Sequence, residues 1–500
     1  YEPEHSAYPT LNVKGTEHDR IIVKNESPNG VKDTGDFLAG LWQRYFEPMP
    51  DFGGMLRSLF SFDWLIGHAS AVDTPRFLVL ADAQCTVTSV STDIDCWATS
   101  SGGDGTAVPD GDDSCTVDNL SGALSATMDA GLTCVNFTIT STSAPTGWAI
   151  STWTFTVTGA LSTSDSGNNI TISTGSLLVT GGATLAGGNI VSSGACTLTV
   201  GSLSYTGGTA GLTANACTVT ISGNVGILVP EGYIDFGSST WTVTGSWTNA
   251  TTSASWVAGT GTVTFTSAAG GTMTFAGANL AEDEFNNVTF TSSAGTAQTF
   301  TMATRGLRYG GTLTITDTAG GTILSKATLA VTGGALEASG TVAVGLVSTS
   351  GDVSVTTVNV STATAYIDFG SEAWTVTGTW TNAATSASWD AGTGTVTFTS
   401  ATGGTMTFAG TNLGEDEFSS VTFTSSAGTA QTFTMATRGL RLGGTLTISD
   451  GTSTTALTTS ASNLAITAGP VTIGAGGILT ANASTITVNG NWTSTTTNVS

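Results

Sequence analysis

YIDFGSSTWTVTGSWTN opens, and TFTMATRGLRYGGTLTITD closes, the stretch Tyr233–Asp317. Tyr366–Asp450 repeats it without insertion or deletion, with 73 of 85 positions identical. Near-identity over that length marks duplication of one structural unit, and internal periodicity is the signature of solenoids and arrays.

Inside the unit the pattern is alternation. In WTVTGSW (Trp241–Trp247), TVTFT (Thr262–Thr266), TMTFA (Thr272–Ala276), NVTFT (Asn287–Thr291), QTFTM (Gln298–Met302) and TLTIT (Thr312–Thr316), large apolar residues alternate mostly with threonine. Side chains on a strand point to opposite faces with period two, so one face is apolar and the other bears hydroxyls. Gly-Gly, Ala-Gly and Ser-Ala-Gly between the runs supply turns. The reading is six short strands per unit and no helix.

The 500-residue chain is 10% charged, with a formal net charge of −24, and 39% hydrophobic. Apolar residues in alternating runs can bury a core, which a disordered chain cannot do. Seven of the twelve Lys and Arg precede Phe77, and none lies between Phe77 and Thr304. Nucleic-acid binding needs a basic patch, and this distribution excludes one over most of the chain.

Residues 1–84 differ from the rest. They hold all three histidines, His5, His18 and His68, and six of the ten prolines. Within Gly35–Ile66, GDFLAGLWQRYF and GGMLRSLFSFDWLIG place bulky apolar residues at helix-like spacing, interrupted by Pro48 and Pro50. One reading is a small, partly helical cap over the open end of a solenoid, as terminal repeats require. The other is an assembly segment that packs on a neighbouring subunit. Met55–Ala71 loosely has the form of a signal peptide, but Asp63 breaks its apolar run. No apolar stretch reaches the ~20 residues of a membrane helix. The absence of an initial methionine suggests a leader removed or not included.

Four of the six cysteines share a phrase in which Thr and an apolar residue follow: Cys85, Cys115, Cys196 and Cys217. The spacing from Cys196 to Cys217 is about one coil of a β-solenoid. Stacked coils lie ~4.8 Å apart, within the ~4.4–6.8 Å that a disulfide tolerates between Cα atoms. Cys196 therefore pairs with Cys217, and Cys85 with Cys96 and Cys115 with Cys134 complete the set. Such pairing suggests an oxidising compartment, whereas buried free thiols are the competing reading. No CxxC occurs to favour zinc. Sequons at Asn25, Asn119, Asn136, Asn169, Asn249, Asn287, Asn359, Asn482, Asn491 and Asn498 agree with export, although a chain this rich in Ser and Thr produces many by chance.

Two acidic groups stand out. In DGTAVPDGDDSCTVD, Asp104, Asp110, Asp112 and Asp113 offer hard oxygen ligands to calcium, without the EF-hand spacing, and a plain solvated loop is the competing reading. Glu282-Asp283-Glu284 precedes Arg305 and Arg308, and Glu415-Asp416-Glu417 precedes Arg438 and Arg441, each by about the length of a coil. At that separation the charges can pair on one flank. Carboxylates beside arginines also serve polysaccharide-cleaving β-helix enzymes, where a base takes a proton and a cation steadies the anion. Near-unchanged duplication favours a structural role.

Nothing else has the form of an active site: no GxSxG and no phosphate-cradling glycine loop stands out. Trp241, Trp247 and Trp256, repeated as Trp374, Trp380 and Trp389, are candidates for stacking on sugars. The shared parity of Trp241 and Trp247 with Val243 places them inside instead.

Strands with turns every ~8–12 residues suit a parallel β-helix or tandem β-sandwich domains. After Pro145 only Pro230 and Pro470 remain, and no charged or Pro-rich linker separates the copies. The expectation is an all-β, right-handed parallel β-helix of ~20–27 residues per coil. Its segments are 1–84 (cap or assembly), 85–232 (disulfide-bearing solenoid), 233–365 and 366–485 (the two repeats) and 486–500 (the start of a further one).

GTGTVTFTS, FNNVTFTSSAGTAQTFTM, RGLRYGGTLTITD and TITVNGNWTS resemble the repetitive regions of large secreted prokaryotic β-helix surface proteins, the adhesin and filamentous-haemagglutinin-like class. The likeness spans roughly 84–500 and implies an exported, adhesive or fibre-forming protein, with no functional residue carried over. Ile486–Ser500 lines up with Trp241–Ser255, so the chain stops inside the opening of another copy. Either the natural chain continues or the last coil leaves a sheet edge for another subunit to cover. Head-to-tail stacking of copies would then build a filament. The expected function is a structural subunit of an extracellular fibre, appendage or surface layer, whose partners are copies of itself. The alternatives are an adhesin stalk that meets glycans or a host or neighbouring surface, and a polysaccharide-degrading enzyme.

Overall fold

A computed structural model describes residues 11–15, 21–25 and 75–495, apart from 79–84, 86–87, 106, 119–125, 141–146, 252–255, 269, 275–281, 385–388, 403, 408–415, 427 and 461–463. Backbone contacts divide the chain between Thr74 and Pro75. In the first unit, Leu11–Gly15 and Ile21–Asn25 form an antiparallel hairpin with Val13 opposite Val23. The segment Gly35–Ile66, read as helical, lies outside the described residues.

The second unit is a β-solenoid of about 15 turns built from parallel stacked strands. It contains no α-helix among the described residues, and no helix is long and apolar enough to cross a membrane. It begins earlier than residue 85, because Arg76–Leu78 already pairs in parallel with Cys115–Val117. Two coils are tied where a strand leaves backbone donors and acceptors for the strand one turn later.

Each turn has three walls. The first runs Leu198, Val219, Trp241, Val263, Val288 and Leu313 in register. The second runs Leu161, Ala183, Leu203, Val225 and Trp247. The third runs Trp148, Ile170, Ile190, Leu212 and Ile234, and later Val331, Val353, Trp374 and Val396. One turn takes the chain from Asn169 to Asn189 in a short coil and from Met273 to Met302 in a long one. The step from Met273 to Met302, repeated from Met406 to Met435, exceeds the expected coil length.

Parallel register holds inward residues above inward residues. The interior is therefore a continuous apolar column, in which Phe265 stacks on Phe290 and, in the second copy, Phe398 on Phe423, with ring centroids 5.2 Å apart in each. All six tryptophans of the two copies are buried, Trp241, Trp247, Trp374 and Trp380 as their parity indicated. Among its described residues the unit Tyr233–Asp317 contains eight strands rather than six, since WTVTGSW breaks at a Thr244–Ser246 corner and Tyr233–Asp235 pairs as well. Continuous pairing through both copies rules out tandem sandwiches.

The repeat is not in phase with the coil. From Trp241, register steps through Val263, Val288, Leu313, Leu336 and Val358 to Trp380, six coils on. The counterpart of Trp241 is Trp374, which precedes Trp380 and sits on the third wall, above Val353. The second copy is thus turned back by one wall.

Glycine is required where corners of successive coils meet. Gly392 has φ +58°, and a Cβ there would lie 1.9 Å from the Gly370 carbonyl oxygen; Gly370 itself has φ +63°. Gly392→Ala is expected to lower stability by roughly 1–3 kcal/mol through backbone strain and collision, which thermal unfolding reads directly. A variant as stable as the parent would show that the corner opens freely.

Candidate functional site

One glutamate of each acidic triplet and one arginine, Glu284 with Arg305 and Glu417 with Arg438, form a cage in each copy. Arg305 Nη2 reaches Glu284 Oε2 at 2.6 Å. Asn249 Nδ2 and Trp247 Nε1 donate to Glu284 Oε1 at 2.6 and 3.3 Å. Trp256 Nε1 donates to the Glu284 carbonyl at 2.7 Å, and the Glu284 amide donates to Arg308 O at 2.8 Å. In the second copy Arg438 meets Glu417 at 2.7 Å, Asn382 donates to Glu417 at 2.6 Å, and Trp389 donates to its carbonyl at 2.8 Å.

Backbone geometry turns the arginines inward. Phe300 and Met302 point to the core, and strict alternation would bury residue 304 next. Thr304 instead adopts φ +78°, and Thr437 φ +76°, a left-handed conformation uncommon for a β-branched residue. It shifts the alternation by one, so Arg305, Leu307 and Tyr309 are buried. The same device recurs at Arg438, Leu440 and Leu442.

Glu284 and Arg305 have side-chain exposures of 0% and 5%, so no polymer substrate can reach them. Burial raises the Glu284 and Glu417 carboxyls, opposed by their arginines and hydrogen bonds. The expectation of pairing on one flank is corrected here: the Glu–Arg pairs are interior. Only Asp283–Arg308 at 3.0 Å and Asp416–Arg441 at 2.8 Å lie on the surface. Glu282 joins no ion pair among the described residues, and Glu415 lies outside them.

A third interior pair was not foreseen. Lys326 Nζ lies 3.0 Å from Glu372 Oε1, both fully buried, and donates to the carbonyls of Leu329, Ser350 and Gly351. Burial lowers the lysine, with Glu372 opposing. In the first copy the position of Glu372 is Ser239, whose hydroxyl accepts from Trp241 Nε1 at 2.7 Å. Two signals were available: Lys326 is the only lysine after Lys32, and Glu372 is among the few positions at which the copies differ.

Cys85–Cys96, Cys115–Cys134 and Cys196–Cys217 are all disulfides, with Cα separations of 4.6, 5.9 and 4.4 Å. Three disulfides point to an oxidising environment.

The calcium reading is corrected. Asp113 is buried and pairs with Arg76 at 3.0 Å, and it accepts from the Asp110 amide. Asp110 Oδ1 accepts from the Asp112 amide, so this loop closes on itself. Including Asp104, no three acidic, histidine or cysteine groups converge as metal ligands among the described residues.

The sequon at Asn249 is also corrected, since its side chain is buried on Glu284. Asn136, Asn169 and Asn287 hydrogen-bond within the coil stack, to Ser114, Asn189 and the Thr312 amide respectively. Asn359 is partly buried on a strand, while Asn482 and Asn491 are exposed. Asn119 and Asn498 lie outside the described residues, as does the side chain of Asn25.

Aspartates also close corners. Asp317 accepts from the amides of Ala319 and Gly321 and from the Thr322 hydroxyl; burial alone would raise its carboxyl, but these donors hold it low. The Ser453 hydroxyl, then the Thr452 amide and further donors, hold Asp450 at about 2.

No protein-family model, curated protein or solved structure matches this chain.

Two outcomes follow from these geometries. Arg305→Ala strands a buried carboxylate and is expected to cost about 3–5 kcal/mol, whereas Arg308→Ala, at an exposed pair, costs less than about 1 kcal/mol. Equal losses in chemical denaturation would refute the cage. A depressed folded-state value means that Asp450 adds stability above the ordinary carboxyl range and loses it as pH falls from about 4 to about 2. Asp450→Asn is expected to flatten that part of the acid-unfolding profile.

Proposed function

We propose that this chain is a structural subunit of an extracellular fibre, appendage or surface layer, with copies joined head to tail through solenoid ends and residues 1–84. The supporting observation is where the charges go. In the repeats every arginine, and the one lysine, is paired with a carboxylate of the chain itself, and three of these five pairs are interior. The three interior pairs hold coils together and are enclosed from any polymer substrate. Through both repeats the strands pair in parallel, so load along the axis passes from coil to coil through the backbone ladders. The three disulfides agree with assembly outside the cell.

The adhesin-stalk reading shares the rod but not the polymer. The polysaccharide-cleaving reading loses Glu284, Arg305, Glu417 and Arg438, which are enclosed, and keeps only the exposed pairs Asp283–Arg308 and Asp416–Arg441.

Negative-stain electron microscopy of the purified, oxidised protein tests the proposal. Regular filaments with a repeat set by one solenoid are expected. Rods that remain single at high protein concentration would overturn it in favour of the stalk, and turnover on a glycan panel would overturn it in favour of an enzyme.

A further inference from the structure

Outside the ion pairs, the most regular chemistry of the molecule is on its outer surface. On the first wall Thr199, Thr220, Thr242, Thr264, Thr289 and Thr314 stand in register across six successive coils. Beside them Thr197, Thr218, Thr240 and Thr262 form a second file. The wall turn between the copies moves the pattern: Thr375, Thr397, Thr422, Thr447, Thr472 and Thr493 line the third wall.

Strand geometry sets the mesh. Neighbours lie ~4.8 Å apart between coils and about 6.6 Å apart along a strand, two residues on. Each node carries one methyl and one hydroxyl, and β-branching holds χ1 stiff. Among the described residues no hydroxyl in these two longer files hydrogen-bonds to the protein, and the threonines are half-buried, with Thr493 exposed. Between its corners, each strand segment that carries a file lacks ionisable side chains: Thr197–Val200 through Thr312–Ile315 on the first wall, and Trp374–Val376 through Trp492–Ser494 on the third. Such neutral strips are notable in a chain of net charge −24.

That chemistry narrows the occupant. A nucleic acid needs cations, which these strips lack. A protein interface concentrates its energy in Trp, Tyr, Met and Arg, also absent from the outward rows. Sugar rings stack on aromatic platforms, but the tryptophans of both copies are buried in the core. A neutral two-dimensional net of methyls and hydroxyls matches a partner that is itself periodic and made of hydrogen-bonding oxygens. We propose that the two threonine walls bind ordered water at the surface of ice. The hydroxyls enter the lattice as donors and acceptors, and the methyls sit in its openings. This holds for an isolated rod or a fibre, so it does not rest on the assembly reading.

Partitioning of the full oxidised chain into slowly growing ice tests this. The wild-type protein is expected to be enriched several-fold in the ice fraction over an inert protein of similar size. Thr242→Tyr, Thr264→Tyr, Thr397→Tyr and Thr422→Tyr together disrupt the mesh of the first wall and the file of the third and are expected to abolish enrichment. Thr171→Tyr with Thr213→Tyr, on a part of the third wall without such a file, should retain it. Circular dichroism and thermal unfolding verify that each variant folds, and lysine at the same four positions replaces tyrosine if that variant does not. Exclusion of the wild type from ice, or enrichment that survives the four substitutions, overturns the proposal, as does binding to crystalline cellulose in place of ice.

Discussion

The inter-coil hydrogen-bond ladder is the constraint on which the structure depends. A parallel strand finds its partners one turn away, and this requires the same face to point inward at every level. A one-residue slip would expose a whole row of Val, Phe and Trp and bury a row of threonines without partners. Alternation in the sequence and register in the stack are therefore one condition seen at two scales. Where the alternation must change phase, as before Arg305 and Arg438, the chain uses a left-handed threonine.

Interior charge follows from the same condition. A position that faces inward cannot return to solvent without breaking the ladder, so an inward carboxylate must bring its partners. Glu284 has Arg305, Asn249 and Trp247, and Lys326 has Glu372 and three carbonyls. These groups link elements one or two coils apart, a pairing that apolar packing alone does not specify. The desolvation cost makes such a cage intolerant of losing one member.

Duplication added length without repeating the presentation. Because the interval from Trp241 to Trp374 falls short of six coils by the width of one wall, equal residues face different directions in the two copies. One substitution adapts the second copy to its new neighbours: Glu372 in place of Ser239 meets Lys326 of the coils below. Asp390 in place of Val257 keeps the old neighbour, facing Asp368 as Val257 faces Asp235, and the Asp368 carboxyl is raised by burial first and by Asp390 as well.

The all-β class, the inward Trp241, Trp247, Trp374 and Trp380, the three disulfide pairings and the partnership of Asp283, Glu284, Asp416 and Glu417 with their arginines were legible in the sequence. Each rests on spacing: period two along a strand, or about one coil along the chain. What only the tertiary structure decided is the wall on which each residue sits. Coils differ in length, as the steps from Asn169 to Asn189 and from Met273 to Met302 show, and the differences accumulate. The phase of Trp374 against Trp241, the meeting of Lys326 with Glu372, and the burial of Glu284 while Asp283 stays outside therefore depend on every turn that precedes them. Local patterning fixes which side of a strand is inside; the direction that side faces is a sum over the stack, and no local window contains it.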